Sequence, residues 1–135
     1  MPMTPEGEAE LDKIRKVRGY TLPLHDALAE TNPEFLRRYG ELASYTIFGE
    51  AEGRALDLKT RFLVLVGVTT AVKGDREGVE WAAFRAVENG ATWEEVYEAA
   101  FMAALPAGIP AFEGFCKAMK EMKEGKGWVI KDAPE

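Results

Sequence analysis

One helical segment holds the side chains best suited to chemistry. In REGVEWAAF, Arg76, Glu80 and Trp81 fall within two turns of one another. A carboxylate against an indole ring is pushed toward its neutral form, and that can make a glutamate a proton donor or acceptor near neutral pH. The i, i+4 spacing favours an ordinary solvated pair between Glu80 and Arg76, and Arg85 is also within helical reach. Trp81 fits either a pocket wall or a core or interface position. Arg76 and Arg61 carry planar guanidinium forks of the kind that clamp a carboxylate.

Other reactive types are scarce. His25 is the one histidine, beside Asp26 in LPLHDALAE. A lone histidine with no cysteine, histidine or glutamate at ligand spacing does not build a metal site, so no metal is expected and His25 reads as a surface or packing residue. Cys116 is the one cysteine, which rules out an intrachain disulfide or a cysteine-pair redox centre. It falls in the inward pattern of Phe112 and Met119 and reads as a buried, inert thiol. Glu50 and Glu52 flank a charged loop that reads as solvated. No glycine-rich phosphate loop or nucleophile elbow is present, and no cofactor is expected.

The elements that must position these residues are helices. Thr4-Pro5 opens the first, with Leu11, Ile14 and Val17 at helical spacing up to Gly19. A short helix follows from Pro23 to about Thr31. Asn32-Pro33 starts a third, whose stripe of Phe35, Leu36, Tyr39, Leu42, Ala43 and Ile47 ends near Gly49. LDLKTRFLVLVGVTTAVKG is ambiguous, because its β-branched run also suits a buried strand. Asp57 as a cap and the length of the run to Gly74 favour a helix, and one apolar all round would lie at the centre of the fold. Asp75 caps the next helix and Gly90 ends it. Thr92 and Glu95 form a capping box before the stripe Trp93, Val96, Tyr97, Ala100, Phe101 and Ala104, which Pro106 stops. A last helix runs from Pro110 to about Lys123 with Phe112, Phe115, Met119 and Met122 inward. Trp128, Val129 and Ile130 in the tail 125–135 are expected to dock on the body or on a neighbouring subunit. The fold expected is all-α, a single-domain bundle of about six or seven helices over 1–135.

Composition narrows the functional classes. Hydrophobic residues make up 47% of the chain and charged ones 30%, as in a soluble globular protein. The net charge of −6 disfavours nucleic acid as a partner, because phosphate binding needs a basic face. Arg15, Lys16 and Arg18 cluster, but as a solvated helix end. The acidic start MPMTPEGEAE lacks the apolar run of a signal peptide, and FLVLVGVTTAV is too short to span a bilayer. A cytoplasmic location and no membrane partner are expected. The absence of glutamine, with two asparagines and one serine, points to a thermophilic source.

LDLKTR at 56–61, the apolar helix after it, A-x-x-x-G-A-T-x-x-E from Ala86 to Glu95, and AGIP at 107–110 together resemble the carboxymuconolactone decarboxylase family, which includes the alkyl hydroperoxidase D-like proteins. NPEFLRRYGELASYTIFGE resembles the long helix that precedes them, and the match runs over about 11–122. The resemblance implies an all-helical fold with a site built by an antiparallel helix pair, and assembly into homo-trimers or hexamers. Peroxidase-like members carry C-x-x-C-x-x-x-H before the G-A-T turn and a glutamate one helix earlier. Here the cysteine positions fall on Asp75 and Gly78, the histidine on Ala82, and the glutamate on Phe62 or Leu63. A thiolate, a resolving thiol and proton carriers are all missing, so dithiol peroxidase chemistry is not expected. Decarboxylating members also keep the histidine that is alanine here.

Two functions follow as expectations. One is non-redox acid–base chemistry on a small carboxylic acid or lactone, with Glu80 moving the proton and Arg61, Arg76, Trp81 and Ala82 binding substrate. The other is a non-catalytic oligomeric protein that binds a small ligand or a partner. A pocket with converging polar groups would favour the first, and filling of the old site by Phe62, Leu63 and Trp81 the second.

Overall fold

Helix starts fall where the sequence supplies a side chain to accept an orphan backbone N–H. Thr4 accepts from Gly7, Asn32 from Phe35, Asp57 from Thr60, Asp75 from Gly78 and Thr92 from Glu95, at 2.8–3.1 Å. Glu95 returns a bond to the Thr92 N–H at 3.1 Å and so completes the expected capping box. The computed structural model describes residues 2–49 and 54–125. Their regular structure is all helical: α1 (Pro5–Arg18), α2 (Pro23–Thr31), α3 (Pro33–Ala43), a π-helical turn (Ser44–Phe48), α4 (Leu58–Ala71), α5 (Arg76–Glu88), α6 (Trp93–Phe101), the four-residue α7 (Ala104–Ala107) and α8 (Ile109–Lys123). There is no strand among the described residues, which resolves the ambiguity of LVLVGV in favour of helix. Glu50, Glu52, Trp128, Val129 and Ile130 lie outside the described residues.

The chain falls into two compact units, Met1–Gly49 and Glu50–Glu135. In the first, α1, α2 and α3 pack on one another around Leu11, Ala29 and Leu36, with Met3, Ile14, Leu28 and Tyr39 against them. Gly7 permits the crossing of α1 and α2, since a Cβ there would strike the Ala29 carbonyl oxygen. The π-helical turn prolongs α3 to the end of its predicted stripe.

In the second unit α4 packs most extensively on α5, and also on α6, α7 and α8. The α5–α6 turn needs Gly90, whose φ is +102°. Two expectations change here. The helix begun at Thr92 does not run to Pro106 but closes at Phe101 through a bond from the Ala103 N–H to the Ala100 carbonyl, and α7 carries the proline. Proline lacks the N–H that would continue the ladder, so the break comes a turn before it. Nor is α4 enclosed on all sides. Val64, Val68 and Val72 are 51%, 50% and 71% exposed. None of the described helices is long and apolar enough to cross a membrane.

Candidate functional site

Phe62 lies on α4 and Trp81 and Ala82 on α5, the two helices that pack most extensively. Ala82 and Ala83 are fully buried, and Phe62 meets the Trp81 ring edge to face at 5.6 Å between centroids. Phe62 rather than Leu63 faces Trp81; Leu63 instead lines a groove between α4, α6 and α7. The expected glutamate and histidine positions are thus a buried aromatic ring and a buried methyl group. Asp75 is spent on capping α5, and its Oδ1 lies close over Gly78.

Glu80 is fully buried, which overturns the solvated helix residue that its spacing favours. Its Oε1 lies 3.5 Å from Arg76 Nε one turn away, and Arg76 reaches on to Glu121 of α8 at 3.0 Å. A buried carboxylate costs several kcal/mol, on the order of that for other buried ions, unless a cation and hydrogen bonds offset it. Arg76, which is 44% exposed, therefore serves first as the partner that lets Glu80 be buried. Arg61 is buried, and its Nε donates to the Leu56 carbonyl at 2.8 Å, bracing the turn into α4. The structure brings together Glu80 and Arg76, with Trp81 and Ala82 beside Glu80 in sequence, and sends Arg61 to a bracing role.

Beside this core lies a cleft of about 450 Å³ between the end of α4, the start of α5 and α8. Thr70, Lys73, Arg76, Lys117 and Glu121 are its polar lining, and Val79 and Phe115 are part of its apolar wall. Glu80, Trp81, Ala82 and Arg61 do not line it. Sequence reasoning missed Thr70, Lys73 and Lys117. Lys73 has one local signal, its place at the end of an apolar run before Gly74, and it adopts φ +54°, the left-handed turn that closes α4.

The first unit has a cavity of its own, about 550 Å³, lined by Ile14, His25, Leu36, Tyr39 and Phe48 among others. His25 is buried, with Nδ1 accepting the Leu22 N–H at 2.9 Å and its ring 6.0 Å from that of Tyr39. It caps and packs α2, as a packing histidine should.

Residues 33–121 match the carboxymuconolactone decarboxylase family. The chain belongs to that family. No curated protein matches the sequence. The crystal structure of a candidate carboxymuconolactone decarboxylase from Burkholderia xenovorans LB400 shares the fold at a TM-score of 0.71, with 20% identity, covering 89% of this chain and 92% of that one.

Carboxymuconolactone decarboxylase family membership makes the site positions comparable but does not restore their chemistry. Cys116 sits half-buried on α8, and burial, then the nearby Glu113 carboxylate, pushes its thiol up, so it stays protonated near neutral pH and is a poor nucleophile. Tyr97 is likewise pushed up, by burial and then by Cys116. Among the described residues no group of three histidine, cysteine, aspartate or glutamate side chains is placed to hold a metal ion.

Proposed function

We propose that this member of the carboxymuconolactone decarboxylase family is a homo-oligomeric ligand-binding protein in which the reactive position of its relatives has become core. The observation that carries the reading is burial: Phe62 packs edge to face on Trp81, Ala82 is fully buried, and none of the three lines the cleft. Self-association is supported by the outer face of α4. Val64 and Val68 lie on one side of that helix, Val72 follows at its C-cap, and Met102 and Leu105 are exposed at 70% and 94%. Val64, Val68 and Met102 line the groove that contains Leu63. Exposed apolar surface of this kind marks an association site, and a second copy of the chain is the occupant proposed.

A second reading has one observation in its favour. Glu80 is a buried carboxylate joined through Arg76 to the cleft, an arrangement that could pass a proton to a small carboxylic acid or lactone held there. The two readings part in one assay. Purified protein is offered carboxymuconolactone and, separately, an organic hydroperoxide with a dithiol, and turnover is followed beside the Glu80→Gln variant. The ligand-binding reading expects no turnover of either compound. Lactone turnover that is lost in Glu80→Gln would replace it with the acid–base reading. Light scattering on the eluting species tests assembly, and a monomer at micromolar concentration would remove the homo-oligomer from the proposal.

A further inference from the structure

The cleft between α4, α5 and α8 holds an unusual hydroxyl. Thr69 and Thr70 are neighbours near the end of α4, yet only Thr69 follows the ordinary course for a helical threonine, donating to the Leu65 carbonyl at 2.7 Å. Thr70 is 2% exposed, lines the cleft, and its hydroxyl has no hydrogen-bond partner. A buried hydroxyl left unmet is destabilising, and such a group needs an explanation in a ligand or an ordered water.

The charges around it narrow the choice of ligand. Arg76 is engaged by Glu80 and Glu121, so its fork is not open for the two-pronged grip that favours carboxylates. Lys73 and Lys117 line the same cleft and form no ion pair among the described residues. They come from separate elements, the turn after α4 and the middle of α8. Two ammonium groups and a hydroxyl suit a dianion with several acceptor oxygens, and a phosphate monoester carries a charge of about −1.5 to −2 at neutral pH. Val79 and Phe115 supply an apolar wall against which its organic part can rest.

From this we infer that the cleft binds a small phosphate monoester, with the phosphate oxygens taken by Lys73, Lys117 and the Thr70 hydroxyl. The inference rests on the ligand-binding reading and supplies its ligand class. The test is calorimetric titration of the full-length protein with phenyl phosphate, inorganic phosphate and benzoate, at low and at physiological salt. Phenyl phosphate is expected to bind best, more weakly at higher salt, with inorganic phosphate behind it for want of the apolar contact. Thr70→Val should lower its affinity about tenfold while Thr70→Ser retains it, and Lys73→Gln with Lys117→Gln should lower it by at least about tenfold. The Thr70→Val protein should keep its helical circular dichroism and melt no lower than wild type, because the change removes an unmet buried hydroxyl. Benzoate binding as tightly as phenyl phosphate would overturn the inference, as would no binding by phenyl phosphate or binding indifferent to these substitutions. Lactone turnover with phosphate binding intact would sink the proposed function alone, and an inert protein blind to phosphate would sink this inference alone.

Discussion

Helix α4 presents two faces built from similar residues and treated in opposite ways. Phe62, Val66 and Thr70, spaced by four, are 1%, 0% and 2% exposed. Val64, Val68 and Val72, offset by two residues and so about 200° around the helix, stand at least half in solvent. The helix therefore has almost no sequence asymmetry and a large structural one. A helix apolar all round is expected to be buried all round, and the single chain meets that expectation on one side only. On the proposed self-association, the difference separates what the chain needs to fold from the surface that a second copy would cover.

The strongest way to break the comparison is on the inner face. Phe62→Ala removes the buried ring that meets Trp81 and leaves a cavity there, so the expected loss is about 3–5 kcal/mol in denaturant unfolding. A loss below about 1 kcal/mol would mean that the old site is loosely filled and could open. The outer face should respond in the reverse manner. Val64→Lys with Val68→Lys touches half-exposed positions, so the fold of the isolated chain should change by no more than about 0.5 kcal/mol per site. Assembly should be lost, which light scattering or sedimentation would show as a shift to monomer. Retained assembly would place the interface elsewhere.

The same contrast explains what could be read in the sequence. Asp57, Asp75 and the Thr92–Glu95 box were legible because a cap is local: the acceptor and the N–H that it meets are three residues apart. The ordered motifs put the family's reactive positions on Phe62 or Leu63 and on Ala82; of these Phe62 meets Trp81, and Ala82 is fully buried. The division of α4 into two faces was not legible, since its apolar residues surround the helix and periodicity carries no information about which neighbour covers which side. Nor was the cleft, whose Thr70, Lys73 and Lys117 meet only through the packing of α8 beside α4 and α5. Glu80 shows the limit of pair rules. The i, i+4 spacing to Arg76 predicts their contact correctly but says nothing of burial, which comes from the helices on either side.

The smallest effect lies at the edge of the outer groove, where Glu95 joins α6 to the start of α4. Its Oε2 is 2.9 Å from Lys59 Nζ, and its Oε1 accepts the Thr92 N–H at 3.1 Å. The hydrogen bond from Lys59, then that from the Thr92 backbone, holds its carboxyl below the usual value of 4.5. The folded pKa is depressed, so the contribution to stability is fully present above pH 4.5 and is lost as pH falls through the lower folded value. Melting temperatures of wild type and Glu95→Gln measured from pH 7 down to pH 2 should accordingly differ by a constant amount near neutrality and converge below 4.5. Because the pair is exposed, added salt should shrink the gap that remains at neutral pH. A gap that persists unchanged into acid would show that Glu95 acts as a neutral hydrogen-bonding cap. In that case charge between α6 and α4 would have no part in holding the walls of the groove, and apolar contact alone would have to place the outer face for a partner.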